Sequence, residues 1–178
     1  MTVIHATNPT TQVLSLLYQQ RENVRALLTE RNNSSDVQRA IRADDIIMML
    51  GHGNEYGLFS KPDKNSDYRR FMITDKHVQF LRDKTCIGIW CYANNFAEKY
   101  RLHGLFSDMI ISELQEAIDL GVPATKEEID REMEKFTICL NNCMSTYGLK
   151  QTPLRMKDLD DVQSILTKFN YSNLYYYE

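Results

Sequence analysis

Two residue types capable of covalent chemistry stand at the ends of two short apolar runs. Ile46-Ile47-Met48-Met49-Leu50 leads into Gly51-His52-Gly53, and Cys86-Ile87-Gly88-Ile89-Trp90 leads into Cys91. Runs of this length read as buried strands, and in parallel α/β sheets the C-terminal strand ends open onto the crevice where ligands bind. A cysteine and a histidine on neighbouring strand ends can act together, the thiol as nucleophile and the imidazole as proton carrier. Taken singly, either residue would be an ordinary core residue ending a strand, since cysteine is often a small buried hydrophobe. Taken as an ordered pair, they read as a catalytic site, with Cys91 as nucleophile and His52 as acid and base. The backbone N–H groups of Gly53 and Cys91 are the candidate donors to a tetrahedral oxyanion. A thiol placed beside a histidine at a strand end is expected to have a lowered pKa or better access, making Cys91 the most readily alkylated of the four cysteines.

Other chemistries that use similar residues fail on particular positions. A phosphohistidine phosphatase would need arginine before the histidine, and position 51 is glycine. No Gly-x-Ser-x-Gly elbow, Walker pattern or complete Gly-x-Gly-x-x-Gly run is present. Asp44 and Asp45 precede their strand, where a receiver-type phosphoacceptor would follow it. Cys139 and Cys143 lie one helical turn apart without a second His or Cys pair to complete a tetrahedral metal set, so no metal and no cofactor are expected. His5, His77 and His103 stand outside any motif.

The elements around the pair read as alternating α/β. Thr2 to Ala6 forms a first strand; Pro9-Thr10-Thr11 opens a helix carrying Val13, Leu14, Leu17, Val24, Leu27 and Leu28. A short helix from Asp36 to Arg42 precedes the strand to His52. Tyr56 to Ser60 and Arg70 to Thr74 flank a polar loop from Lys61 to Asp67 and predict a protruding hairpin, after which Thr74 caps a brief helix with Val78 and Leu81. A helix from Asn94 to Tyr100 follows Cys91, and Met109 to Ser112 is a further candidate strand. Thr125-Lys126-Glu127-Glu128 is a capping-box pattern, opening a helix whose face Ile129, Met133, Phe136, Leu140, Cys143 and Tyr147 runs to Gly148. A last helix carries Leu159, Val162, Ile165, Leu166 and Phe169, and the terminal tyrosines are expected to dock on the domain or on a neighbour, so a homo-oligomer stays open.

At 178 residues the chain is sized for a single domain spanning 1–178, and its 43% hydrophobic and 25% charged content can support a sizeable core. The net charge of -3, with basic residues scattered among acids, argues against a nucleic-acid surface. Apolar stretches of five or six residues are far short of a membrane span. With no secretory pattern at Met-Thr-Val-Ile-His, the expectation is a cytoplasmic protein with reduced cysteines.

The order apolar strand, His-Gly, hairpin, helix, apolar strand, Cys resembles the caspase-like cysteine peptidases of clan CD, which include caspases, separase, gingipains, clostripain, legumain and CHAT-type domains. The likeness is nearest to the CHAT-type pattern, with Gly57-Leu58-Phe59 as the Gly-Leu strand and Thr74 in the following turn; it runs from about Asp44 to Leu140. The resemblance implies a mostly parallel sheet between helices in a three-layer sandwich, a Cys/His dyad without an obligatory third residue, and no metal in the chemistry. The family's functional residues map onto His52, Gly53 and Cys91. Trp90 replaces the small residue common before the nucleophile, and Tyr92-Ala93 replaces the Ser-Gly or Arg-Gly often found after it. The implied substrate is a peptide or protein, and the alternative is a non-catalytic member serving as a binding or assembly module. Glu113 and then Asp108 are the acids expected to receive a basic substrate side chain. Lys61, Lys64, Arg69 and Arg70 would then suit self-cleavage in the polar loop.

Overall fold

The computed structural model describes residues 1–6, 8–28, 34–60 and 70–178. The whole polar loop from Lys61 to Asp67, and with it the self-cleavage expectation at Lys61, Lys64 and Arg69, lies outside the described residues; Arg70 is exposed. Six strands form one sheet: β1 (Thr2–His5), β2 (Ala26–Leu28), β3 (Ile46–Leu50), β6 (Thr85–Ile89), β7 (His103–Ser107) and β8 (Leu174–Tyr177), in the order β2-β1-β3-β6-β7-β8. All neighbours are parallel except β7 and β8, which are antiparallel. A small separate hairpin pairs β4 (Gly53–Asn54) with β5 (Gly57–Leu58).

The central strands are continuous apolar runs because both of their faces are covered. Successive side chains of β3 alternate between two cores. Ile47 and Met49 join a cluster with Val37 and Ile41 of α1 (Ser34–Ala43), Val78 and Leu81 of α2 (Asp75–Leu81), and Phe96 of α3 (Ala93–Tyr100). Met48 and Leu50 join the other cluster, with Leu14 and Leu17 of a 3₁₀ segment (Gln12–Leu17), Phe136 and Leu140 of a long helical stretch, and Leu166 near the C-terminal end. Phe96, Phe106 and Phe136 are fully buried, each worth about 2–3 kcal/mol by the apolar area removed from water. The architecture is therefore α/β, a mostly parallel sheet with helices on both faces. Among the described residues no helix is long and apolar enough to cross a membrane.

Local signals placed several elements where expected. Thr74 caps α2, its Oγ1 accepting from Lys76 N–H at 3.3 Å while His77 Nδ1 accepts from Thr74 N–H at 3.2 Å. Thr125 and Glu128 cap each other at the start of the long stretch α5 (Lys126–Asp158). Phe59 and Phe71 pair across the base of the polar loop, as the flanking apolar pieces predict.

Other expectations are corrected. The helix expected after Pro9 is a short 3₁₀ turn, and Leu27 and Leu28 belong to strand β2 at the sheet edge. The strand expected at Met109 to Ser112 is instead irregular, because β7 occupies His103–Ser107 immediately before it. The α5 stretch breaks at Gly148 (φ 75°) and resumes as a second helix to Asp158. Leu159 and Val162 then lie in an exposed connection, and the last helix, α6 (Ile165–Ser172), begins at a Ser164 cap. Between Cys91 and α5 lies a short helix, α4 (Leu114–Asp119).

His5 ends β1 fully buried. Its Nε2 lies 3.0 Å from the Thr11 carbonyl, which can only accept, so Nε2 carries the proton and Nδ1 accepts from the Tyr18 hydroxyl at 3.0 Å. Burial pushes the imidazole down to about 4, against the Thr11 carbonyl bond. The unfolded chain therefore binds a proton that the folded one refuses. Stability from this group is full above its unfolded pKa of 6.5 and drains away as pH falls towards 4. Between about pH 7 and about pH 5 the loss should be about 2 kcal/mol. Buried His77, also pushed down by desolvation, slopes the same way. Urea denaturation of His5→Gln should show a shallower pH dependence than wild type over that interval; an unchanged slope would refute a buried neutral His5.

Candidate active site

The site is built by the register between the two central strands. Leu50 of β3 is the partner of Ile89 of β6, so His52 and Cys91, each two residues further on, leave the sheet level with one another. Adjacent strands are spaced about 4.8 Å apart. Both side chains line one pocket, together with Thr10, Ile110 and Ser112. The pair read from the sequence is thus brought to a single crevice.

The chain turns sharply after Cys91. Tyr92 adopts the left-handed region (φ 66°) directly before α3, and Ala93 N–H bonds back to the Trp90 carbonyl at 3.1 Å. A bulky residue at positive φ is strained by about 1–3 kcal/mol, held here by the packing of α3. Ser107, at the end of β7, clamps the segment before the thiol: its hydroxyl accepts from Trp90 N–H at 3.1 Å and donates to the Trp90 carbonyl at 2.8 Å. Trp90 itself is buried, with Nε1 donating to the Asn54 carbonyl at 3.1 Å. A Cβ on Gly53 would lie 2.2 Å from the indole Cδ1 and 2.6 Å from the Gly57 carbonyl oxygen. Glycine at position 53 is what lets the large residue before the cysteine and the hairpin after the histidine share this space.

His52 has partners that the sequence reading missed. Thr10 Oγ1 lies 2.9 Å from His52 Nε2 and donates to Glu113 Oε1 at 2.8 Å; that same carboxylate oxygen is 3.2 Å from His52 Nε2. Thr10 is presented by a turn in which Asn8 Oδ1 accepts from Thr11 N–H and Thr11 Oγ1, while His5 grips the Thr11 carbonyl. Its Pro-Thr-Thr context reads as a helix start, so nothing local marks Thr10 as a contact of a histidine 42 positions away.

Cys91 is half-buried, and its thiol points towards Glu116 Oε1 at 3.9 Å and the Ile110 carbonyl at 4.0 Å. The other oxygen of Glu116 accepts from Ser112 N–H, Ser112 Oγ and Glu113 N–H at 2.8, 3.2 and 3.0 Å, which fixes the carboxylate at the start of α4. The Glu113-x-x-Glu116 spacing is a capping pattern and was the available signal for it. Burial, followed by the carboxylates of Glu116, Glu113 and Asp108, pushes the thiol up to about 12. The lowered pKa expected for Cys91 is therefore overturned for this resting arrangement, because carboxylates surround the thiol and penalise the thiolate. Cys86 and Cys139 are also pushed up to about 12 by burial. Only access separates Cys91 and the half-buried Cys139 from buried Cys86 and Cys143.

Glu113 and Asp108, the expected substrate-binding acids, both flank the site with partners of their own: Glu113 on Thr10 and His52, Asp108 Oδ1 on Met109 N–H at 2.8 Å. Glu116 is the acid nearest the thiol. The pocket that His52 and Cys91 both line has a volume of about 20 Å³, room for about one water molecule. Two larger hollows of about 310 and 230 Å³ share Thr10 and Ser112 with it and extend towards Lys126 and Asp130 of α5. Among the described residues no three His, Cys, Asp or Glu side chains gather into a metal-holding group.

Replacing Glu116 by glutamine keeps an acceptor for the backbone amides and removes the charge beside the thiol. Iodoacetamide labelling of Cys91 at neutral pH is expected to accelerate roughly three- to tenfold in Glu116→Gln, with Cys139 unaffected, since one pKa unit is tenfold in thiolate. Mass mapping of limited labelling reads both cysteines at once; an equal or slower rate at Cys91 would show that Glu116 does not hold the thiol protonated.

No protein-family model matches this chain, and no curated protein matches it significantly. The functional reading therefore stands on the site's own geometry.

Proposed function

We propose that this chain is a caspase-like cysteine peptidase domain that hydrolyses peptide bonds with a Cys91/His52 dyad. The observation that carries the reading is the parallel β3–β6 register, which delivers both residues level at adjacent strand ends and into one pocket. Cys91 attacks the scissile carbonyl, the amides of Gly53 and Cys91 receive the oxyanion, His52 protonates the leaving amine, and water releases the acyl-enzyme. The substrate is a peptide or protein, with Glu116, the acid nearest the thiol, favouring a basic side chain near the scissile bond. No cofactor is part of this chemistry. The cytoplasm suits it, since the four cysteines are free and a nucleophilic thiol must stay reduced.

A second reading has its own support. The raised thiol and the narrow pocket fit a non-catalytic member of the same fold, in which the sheet carries a binding or assembly surface, with self-association as one form. Incubating wild type and Cys91→Ala with a peptide library separates the two. Hydrolysis by wild type alone supports the peptidase; hydrolysis by neither supports the module.

A further inference from the structure

The proton on His52 can be located from the groups that face it. Nε2 is approached by Thr10 Oγ1 at 2.9 Å and by Glu113 Oε1 at 3.2 Å. The Thr10 hydroxyl has one proton and three close neighbours: Asn8 Oδ1 at 3.0 Å, Glu113 Oε1 at 2.8 Å and His52 Nε2. Asn8 Oδ1 already accepts from Thr11 N–H and Thr11 Oγ1, and a carboxylate can only accept. If the hydroxyl gave its proton to His52, the imidazole lone pair would face the Glu113 carboxylate, and Thr10 and Glu113 would meet oxygen to oxygen with no hydrogen between them. The consistent placement has Nε2–H donating to Thr10 and Glu113, with the Thr10 proton directed to Glu113.

On the peptidase reading above, we infer that Glu113 and Thr10 are positioning residues that hold His52 as the Nε2–H tautomer, leaving Nδ1 as the atom that takes the Cys91 proton. Glu113 thus supplies a third member to a site whose resemblance implies only two. In the first step the thiol proton moves to Nδ1 as sulfur bonds to the carbonyl carbon and the carbonyl π electrons pass to oxygen. The imidazolium so formed carries two N–H bonds, and its positive charge is offset by the Glu113 carboxylate against Nε2. Collapse of the tetrahedral intermediate breaks the C–N bond, and the Nδ1 proton leaves with the amine, which restores the starting tautomer. Neither group touches substrate in this account; both act through the ring. The role differs from a specificity pocket, which would bind the substrate's side chain and leave the imidazole alone.

The test reads the imidazole directly. Nitrogen NMR of the full chain at mildly alkaline pH should show wild-type His52 as the Nε2–H form. Glu113→Gln and Thr10→Ser, each retaining an acceptor, should keep that form, whereas the double variant Thr10→Val/Glu113→Ala should shift to a mixture with Nδ1–H. On a cleavable peptide, Glu113→Ala should lower kcat about ten- to a hundredfold with KM little changed, the pattern of a lost transition-state contribution. An Nδ1–H form in the wild type, or an unaltered Nε2–H form in the double variant, overturns the inference. So does a Glu113→Ala defect confined to KM for basic peptides. These outcomes are separable from failure of the peptidase reading, which falls if Cys91→Ala still hydrolyses peptide or if wild type never does, while the tautomer measurement decides the positioning role in either case.

Discussion

Cys91→Ala is expected to abolish peptide hydrolysis, with a loss of at least about a thousandfold, while leaving the domain folded. On the proposed mechanism the thiol forms the acyl intermediate, so without it that covalent route is closed and only unassisted attack by water remains. Stability should change little, because the side chain is half-buried at a turn and its sulfur contacts, at 3.9 and 4.0 Å, are weak. His52→Ala should be nearly as damaging, and the double variant no worse than either single one, since two residues acting on one proton transfer do not contribute additively. Discontinuous peptide assays on all four proteins, each checked by circular dichroism, measure this. Hydrolysis persisting in Cys91→Ala would sink the mechanism; additive losses in the double variant would show that the two residues do not act together.

The largest effect on folding is expected at Gly104. This residue opens the buried part of β7, pairs in register with Cys86 of β6, and adopts φ 130°. A Cβ there would fall 1.9 Å from the Cys86 carbonyl oxygen and 2.8 Å from the Cys86 amide nitrogen. Both are backbone atoms of the neighbouring strand, so no side-chain rotation relieves the overlap. Gly104→Ala must either separate β6 from β7 or abandon its φ, and each choice breaks ladder hydrogen bonds in the centre of the sheet. The expected cost is at least about 4 kcal/mol, comparable with the total stability of a marginal domain. Because β6 leads directly to Cys91, two residues beyond its end, a variant that survives should lose activity with its fold. Urea denaturation decides it: a shift below about 1 kcal/mol would mean that β7 does not pair with β6 as described.

The placement of His52 and Cys91 at strand ends was legible because both residues ride on signals that are local in sequence. The apolar run from Ile46 to Leu50 buries its last four residues, and a His-Gly immediately after it has to emerge at the strand's end; the buried run from Cys86 to Trp90 does the same for Cys91. Thr74 and Thr125 were legible as caps for a similar reason, since a side chain that satisfies amides two or three residues on needs no knowledge of the rest of the chain. The segment from Gln12 to Leu28 misled because its leucines and valines fit a helical period, yet the sheet needed an edge: Leu27 pairs with Val3 of β1, and that pairing outweighs a weak local preference. The terminal tyrosines were read as docking on the domain or a neighbour; they do so as a strand, with Tyr175, Tyr176 and Tyr177 opposite Phe106, Leu105 and Gly104.

By itself, then, the amino-acid order determined the class of chain, the two strands of the site and the histidine and cysteine that stand at their ends, because burial of short apolar runs and helix capping act over a few residues. Only the tertiary structure decided the strand order, the level placement of His52 beside Cys91, and the company each keeps. The Glu113 carboxylate meets Thr10 across 103 positions, and Glu116 faces a thiol 25 positions away. No periodicity encodes such distances. They follow from which helix end packs over which strand end, and that arrangement is selected by the whole core at once.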